Sequence, residues 1–227
     1  DWLSSSLLAR RATEDAPSLD LLVISHYEEI ARLAKLQMIG VEAEVFGGIR
    51  VHLQEEKYPA ALIDIGSHTT TVSVVYKGLL RISHSINIGG NSFTERIARS
   101  LSLEYKEAEM RKVKQGVNLV SGNVRILLPV LDTILIETKK ALENFKKQEG
   151  EEVRKIVIAG GSARLPGLAE YLERQTGRKT EIVAPFENLI YPPILESKLK
   201  EIGMEDIYYA ILTPSQAALM LHGVPPP

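Results

Sequence analysis

The sequence predicts an α/β fold, on three observations. Strand patterns follow one another between residues 61 and 88, helical spacing with marked ends flanks them, and two apolar strands run into turns of glycine and hydroxyl residues. Those strands are AALIDI, ending in Gly66-Ser67-His68-Thr69, and RKIVIA, ending in Gly160-Gly161-Ser162.

DLLVIS (20–25) reads as a short β-rich strand. HYEEIARLAKLQMIG follows with Ile30, Leu33 and Leu36 at helical spacing and ends at Gly40. Residues 42–56 read as a further helix although Gly47 and Gly48 each cost about 1 kcal/mol there relative to Ala. After Pro59 the pattern becomes a β-meander: AALIDI, TTTVSVVY, a Lys77-Gly78 turn, and LLRISHSINI, whose Leu80, Ile82, Ile86 and Ile88 alternate with polar residues. His84 falls on the apolar side of that alternation and reads as a structural histidine at the sheet edge.

Ser92 with Glu95 three positions on predicts a capping box opening the next helix. A second helix ends near Gly116, and a long one runs from about Val124 to Gly150 with Pro129 tolerated in its first turn. Its charged end, KKALENFKKQEGEE, reads as a solvated face. RKIVIAGGSARLPGLAEYLERQTG is a strand, a glycine turn and a helix, and TEIVAPF a further strand. Pro192 and Pro193 begin a loop or short-helix region, and TPSQAALMLHG reads as a closing helix with Thr213 as N-cap and Pro214 at the first helical position.

Bulk properties exclude several classes. With 44% hydrophobic and 25% charged residues in 227, the chain is ordinarily globular and can bury a core as one large or two smaller domains. A formal charge of −2 argues against a nucleic-acid binder that works by neutralising phosphates. The absence of cysteine rules out disulfides and thiolate metal sites and is compatible with a reducing compartment. No apolar run approaches the roughly 18 to 20 residues of a spanning helix. The opening DWLSSSLLARRATEDAPSLD has neither an initiating Met nor the order of a signal peptide, so a fragment or trimmed chain is expected.

The two glycine turns carry the chemistry. Glycine removes the Cβ that would keep a phosphate from backbone N–H groups, hydroxyls add donors, and the second turn feeds a helix N-terminus that favours anions. Asp64 in its apolar strand needs a compensating partner. A hydrated magnesium ion between carboxylate and phosphate would supply one, whereas a carboxylate capping a local turn is the plainer alternative. For the second turn the plainer alternative is an ordinary strand-to-helix connection. Neither turn is a Walker phosphate loop or a dinucleotide fingerprint.

The segment DIGSHTTTVSVVYKGLLRISHSINIGGNSFTERIARSLSLEYKEAEMRKVKQG resembles the second-domain opening of the actin-like ATPases, above all the type IV pilus assembly PilM family and its relative FtsA. The resemblance rests on D-x-G-x-x-T, a hairpin with a K-G turn, I-x-x-G-G-N-x-F-T and A-E-x-x-K-x-x-x-G in order, then on IVIAGGSARLPGLAEYL, similar to the adenosine motif. Flanking stretches fit as well. It implies an actin-like (ribonuclease H-like) ATPase fold, with residues 1–59 the remainder of a first domain including its peptide-binding subdomain. Residues 60–227 would be the second domain, with a helical subdomain at about 92–150 and the closing helix at 213–223. It implies ATP and magnesium as cofactors, Asp64 near magnesium through water, and Gly66, Ser67, His68 and Thr69 on the β/γ-phosphates. Glu109 and Lys112 would contact ribose and adenine, and Gly160, Gly161, Ser162 and Arg164 would flank the nucleoside.

The family's first phosphate hairpin has no counterpart before Asp64, so weak nucleotide binding and little or no hydrolysis are expected, with no catalytic residue assigned. At His68 relatives often carry a smaller or acidic residue; it either alters the phosphate contact or faces water. The expected function is a nucleotide-regulated cytoplasmic scaffold, peripheral to the inner membrane through its partners. Those partners are the N-terminal cytoplasmic peptide of a PilN-like protein and the pilus assembly motor ATPases. The alternatives are an FtsA-like filament tether, whose amphipathic membrane helix LMLHGVPPP does not offer, and a sugar-kinase-like or Hsp70-like enzyme, for which residues 170–227 show no acid/base constellation.

Overall fold

The computed structural model of the chain describes residues 21–38, 44–53, 56–117, 123–183 and 221–223. These fall into two compact units, one holding 21–38 with 221–223 and the other the remainder. In the smaller unit, helix α1 (Leu21–Leu33) is followed by strand β1 (Leu36–Met38), paired antiparallel with Leu221–Gly223 so that Gln37 lies opposite His222. Three expectations are corrected here. DLLVIS is helical from Leu21, because no breaker separates it from HYEEIARL and a short apolar run fits either period. That helix stops at Leu33 rather than Gly40, since Lys35 turns left-handed at φ 55° and the chain becomes extended. Leu221–Gly223, expected to end a helix, is a strand whose partner is remote in sequence and invisible to local spacing. Thr213, Pro214 and the Pro192–Pro193 region lie outside the described residues.

The larger unit is built on one mixed sheet of order β4-β3-β2-β5-β6. Strands β2 (Ala60–Ile65), β3 (Thr70–Tyr76) and β4 (Leu79–Ile86) form the expected antiparallel meander, while β5 (Lys155–Ala159) and β6 (Lys179–Ile182) continue it in parallel beside β2. Central strands must be apolar on both faces. On β2, Ala61, Ile63 and Ile65 face one core with Val72, Val74, Ile156 and Ile158, and Ala60 and Leu62 face another with Val75, Val157 and Ala159.

Helices cover both faces. Helix α2 (Glu44–His52) packs Ile49, with Leu53 just past its end, on the second face. Gly48, one of the two glycines that weaken it intrinsically, lets it lie close: a Cβ there would stand 3.1 Å from Leu62 Cδ2. The first face carries α3 (Gly90–Leu101), α4 (Tyr105–Gln115), α5 (Asn123–Glu149) and α6 (Leu168–Thr176), whose Phe93, Ile97, Ala108, Leu127, Leu131, Phe145 and Leu168 join the core. His84 is exposed on the edge strand, its Nε2 3.2 Å from Glu137. The charged end of α5 is solvated as expected, apart from Ala141 and Phe145.

Two helix starts differ from the sequence reading. Helix α3 begins at Gly90, with Gly89 rather than Ser92 at the cap: Ser92 is the third helical residue, and its Oγ accepts the Gly89 N–H at 3.4 Å. Pro129 is the seventh residue of α5 rather than part of its first turn. The missing donor there is tolerated at an exposed position.

Candidate functional site

Since β2 ends at Ile65 and β3 begins at Thr70, residues 66–69 turn the hairpin, closed by the Gly66 N–H donating to the Thr69 carbonyl at 2.9 Å. The carbonyls of Gly66 and Ser67 accept the N–H groups of Gly90 and Asn91, each at 2.8 Å. A trans peptide points its C=O and N–H in opposite directions, so the N–H groups of Ser67 and His68 are directed away from α3. Among the described residues neither donates to a backbone carbonyl. Successive amides turned outward in this way make a concavity suited to an anion. The approach depends on Gly89, where a Cβ would lie 2.6 Å from the Gly66 carbonyl oxygen.

The other half of the site is buried. Lys112 is 5% exposed, and a buried cation must be paired. Its Nζ lies 2.8 Å from Glu109 Oε2 and donates to the Gly90 carbonyl at 3.2 Å. Thr94 shares its hydroxyl hydrogen between that same carbonyl, at 3.1 Å, and the Glu109 carboxylate. Ser162 closes the group from the second turn: a Cβ on Gly90 would stand 2.6 Å from Ser162 Oγ and 3.5 Å from Lys112 Nζ. The segment beyond is fastened to the end of α4, where the Val117 N–H donates to the Pro166 carbonyl at 2.7 Å.

The two glycine turns therefore meet. Asp64, half-buried, sits in β2 opposite Thr71 on β3 and Ala159 on β5. Gly160 takes φ 87°, and a Cβ there would fall against the Ile65 carbonyl and 2.5 Å from Asp64 Oδ1. The second turn is a single 3₁₀ turn, Gly161–Arg164, and α6 starts only at Leu168, so the helix N-terminus does not open at the glycine pair. A Cβ on Gly161 would meet nothing within 4 Å, and Arg164 ends the 3₁₀ turn half-buried. Thr69 is exposed. His68 is exposed too, but it does not simply face water: its ring bridges Ser67 and Asn91.

The structure thus brings Gly66, Ser162 and Lys112 against Gly90, with Glu109 paired to Lys112 and Ser67 bonded to the neighbouring Asn91, and it packs Gly160 against Asp64 and Ile65. Sequence reasoning missed Gly89, Gly90, Asn91, Thr94 and Tyr105 as site residues. For all but Tyr105 the signal was the I-N-I-G-G-N-S-F-T stretch itself, a glycine pair at a helix start with no turn of its own to explain it.

A sequence profile of the type IV pilus assembly protein PilM family matches residues 49–210. The chain belongs to this family. The PilM-family chain is also similar to the cell division protein FtsA of Agrobacterium fabrum, 24% identical over 196 residues that cover 74% of this chain and 44% of that protein. FtsA of Staphylococcus epidermidis is 28% identical over 171 residues, covering 66% and 37%. The chain therefore spans less than half the length of these curated relatives. Among solved structures, a PilM-PilN type IV pilus biogenesis complex matches with TM-score 0.63 and 26% identity, over 77% of this chain and 51% of that one. MreB 5 of Spiroplasma citri bound to AMPPNP matches with TM-score 0.59 over 83% and 67%; at 19% identity it speaks for the fold alone. That fold is actin-like. No helix among the described residues is long and apolar enough to cross a membrane.

Proposed function

We propose that this PilM-family chain binds ATP with magnesium across the junction at Gly90. In this reading, occupancy sets its affinity for the cytoplasmic N-terminal peptide of a PilN-like inner-membrane protein. The observation that carries the reading is that junction: the turn with outward amides and the buried Lys112 and Ser162 meet at one residue, with half-exposed Glu109 paired to Lys112. The donor set suits the molecule. The outward amides of Ser67 and His68 and the hydroxyls of Ser67 and Thr69 suit β/γ-phosphates, with Gly66 shaping the turn, and Glu109, Lys112, Gly160, Gly161, Ser162 and Arg164 would take the nucleoside side.

Magnesium fits through one carboxylate. Among the described residues no group of three or more His, Asp or Glu stands ready to cage a metal, and Mg²⁺ keeps several waters while taking one or two carboxylates and phosphate oxygens. Asp64 would hold it through water, and the bound ion would neutralise phosphate charge beside that carboxylate. The chain's own residues bind and orient the nucleotide, and with no assigned base hydrolysis is weak or absent.

Coupling to the partner requires only that nucleotide and peptide prefer the same conformation. The protein would then act as a scaffold of the pilus platform at the inner face of the inner membrane, with the assembly motor ATPases as further partners. Calorimetry with Mg-ATP on the chain and on Asp64→Ala tests the site: equal affinities remove the assignment. Peptide affinity that ignores ATP removes the coupling. An FtsA-like filament tether is the second reading, favoured by the FtsA matches, and it predicts sedimentation with lipid vesicles, which the scaffold reading does not.

A further inference from the structure

Four polar side chains from three elements form a continuous chain along the exposed rim of the phosphate turn. The Tyr105 hydroxyl, at the start of α4, donates to Asn91 Oδ1 at 2.9 Å. The Asn91 Nδ2 lies 3.1 Å from His68 Nε2, and His68 Nδ1 lies 2.9 Å from Ser67 Oγ. The chemistry of these groups gives the chain a direction. An asparagine whose oxygen accepts from tyrosine presents its NH₂ to the imidazole, so His68 Nε2 must accept. A neutral ring that accepts at Nε2 carries its hydrogen on Nδ1 and donates it to Ser67. Ser67 Oγ is then an acceptor toward His68, and its own hydrogen is turned elsewhere.

We infer that His68, Asn91 and Tyr105 are positioning residues that aim the Ser67 hydroxyl hydrogen at an anionic oxygen held by the outward amides of Ser67 and His68. The inference rests on the nucleotide reading above and deepens it. It gives the side chain at position 68 a role through Ser67 rather than by direct phosphate contact. Hydrogen bonds that run in one sense polarise one another, so the last hydroxyl of the series is a stronger donor than an isolated serine. Anchoring matters as well: Asn91 also ties the turn through its backbone N–H to the Ser67 carbonyl, a bond that side-chain substitution leaves in place.

The test compares Mg-ATP with adenosine, which has no phosphate, by calorimetry on the full chain and its variants. Ser67→Ala is expected to weaken ATP about tenfold, the worth of one hydrogen bond to a charged group, with adenosine affinity unchanged. Asn91→Ala and Tyr105→Phe are expected to weaken ATP about threefold each and adenosine not at all. In the Ser67→Ala background both losses should vanish to within about twofold, since the variants act through the hydroxyl already removed. Unchanged ATP affinity in Asn91→Ala and Tyr105→Phe, equal losses for adenosine, or full additivity with Ser67→Ala would overturn the positioning role while leaving nucleotide binding intact. A wild-type chain that binds adenosine and ATP equally, or neither, overturns the phosphate site itself and this inference with it.

Discussion

The two halves of the site are built differently. Around Lys112 the groups are buried: the lysine is 5% exposed, Thr94 is fully covered and Ser162 is 7% exposed, and Lys112 and Thr94 both donate to the Gly90 carbonyl. Around Ser67 and His68 the groups are exposed and joined by side chains. A buried polar group costs free energy unless paired, so the inner half has one arrangement and contributes to the stability of the fold. An exposed network exchanges readily with water, so the rim contributes little to stability and is free to serve affinity.

That contrast is broken most forcefully at Gly160. Its φ of 87° and the contacts of a Cβ with the Ile65 carbonyl and Asp64 Oδ1 leave alanine no place without moving β2 from β5. Gly160→Ala should cost about 4 kcal/mol or more in urea denaturation, in the range reserved for backbone strain and core overpacking. A loss near that of an ordinary surface substitution would mean that the two turns do not meet as described.

Second in size is a pH effect on the opposite face of the sheet. Burial lowers the His52 pKa from 6.5 to about 4. The unfolded chain therefore binds a proton near pH 6.5 that the folded chain refuses until about pH 4. Stability is complete above pH 6.5 and falls as pH drops through that window, by on the order of 3 kcal/mol. Urea midpoints for wild type and His52→Gln between pH 7.5 and 4 check this: the substitution should flatten the part of the slope that belongs to His52.

How much of this could be read from residues alone differs by region. The hairpin was legible because period-two alternation and a Lys77-Gly78 turn are local, and both turn residues do take positive φ, 55° and 71°. The turns at Gly66 and Gly160 were legible by residue type. The junction was not, because a glycine at the start of α3 looks like an ordinary helix cap until the Gly66 carbonyl is seen against it. For the same reason the capping box was misplaced: the Gly90 and Asn91 amides are satisfied by a distant turn rather than by a neighbouring side chain. Residues 21–25 and 221–223 failed more plainly, their conformation being set by continuity with a helix in one case and by a remote strand in the other.

Within the site, Lys112→Met should cost about 1–2 kcal/mol, because the Gly90 carbonyl loses a donor while half-exposed Glu109 can rehydrate. The smallest expected effect sharpens the contrast most. His68→Ala removes two side-chain hydrogen bonds, yet both lie at the surface and water replaces them. Its cost in urea denaturation should stay below about 0.5 kcal/mol, as for substitutions away from buried features. A loss as large as that of Lys112→Met would show the rim to be as structural as the interior, and the division of labour between stability and affinity would not hold.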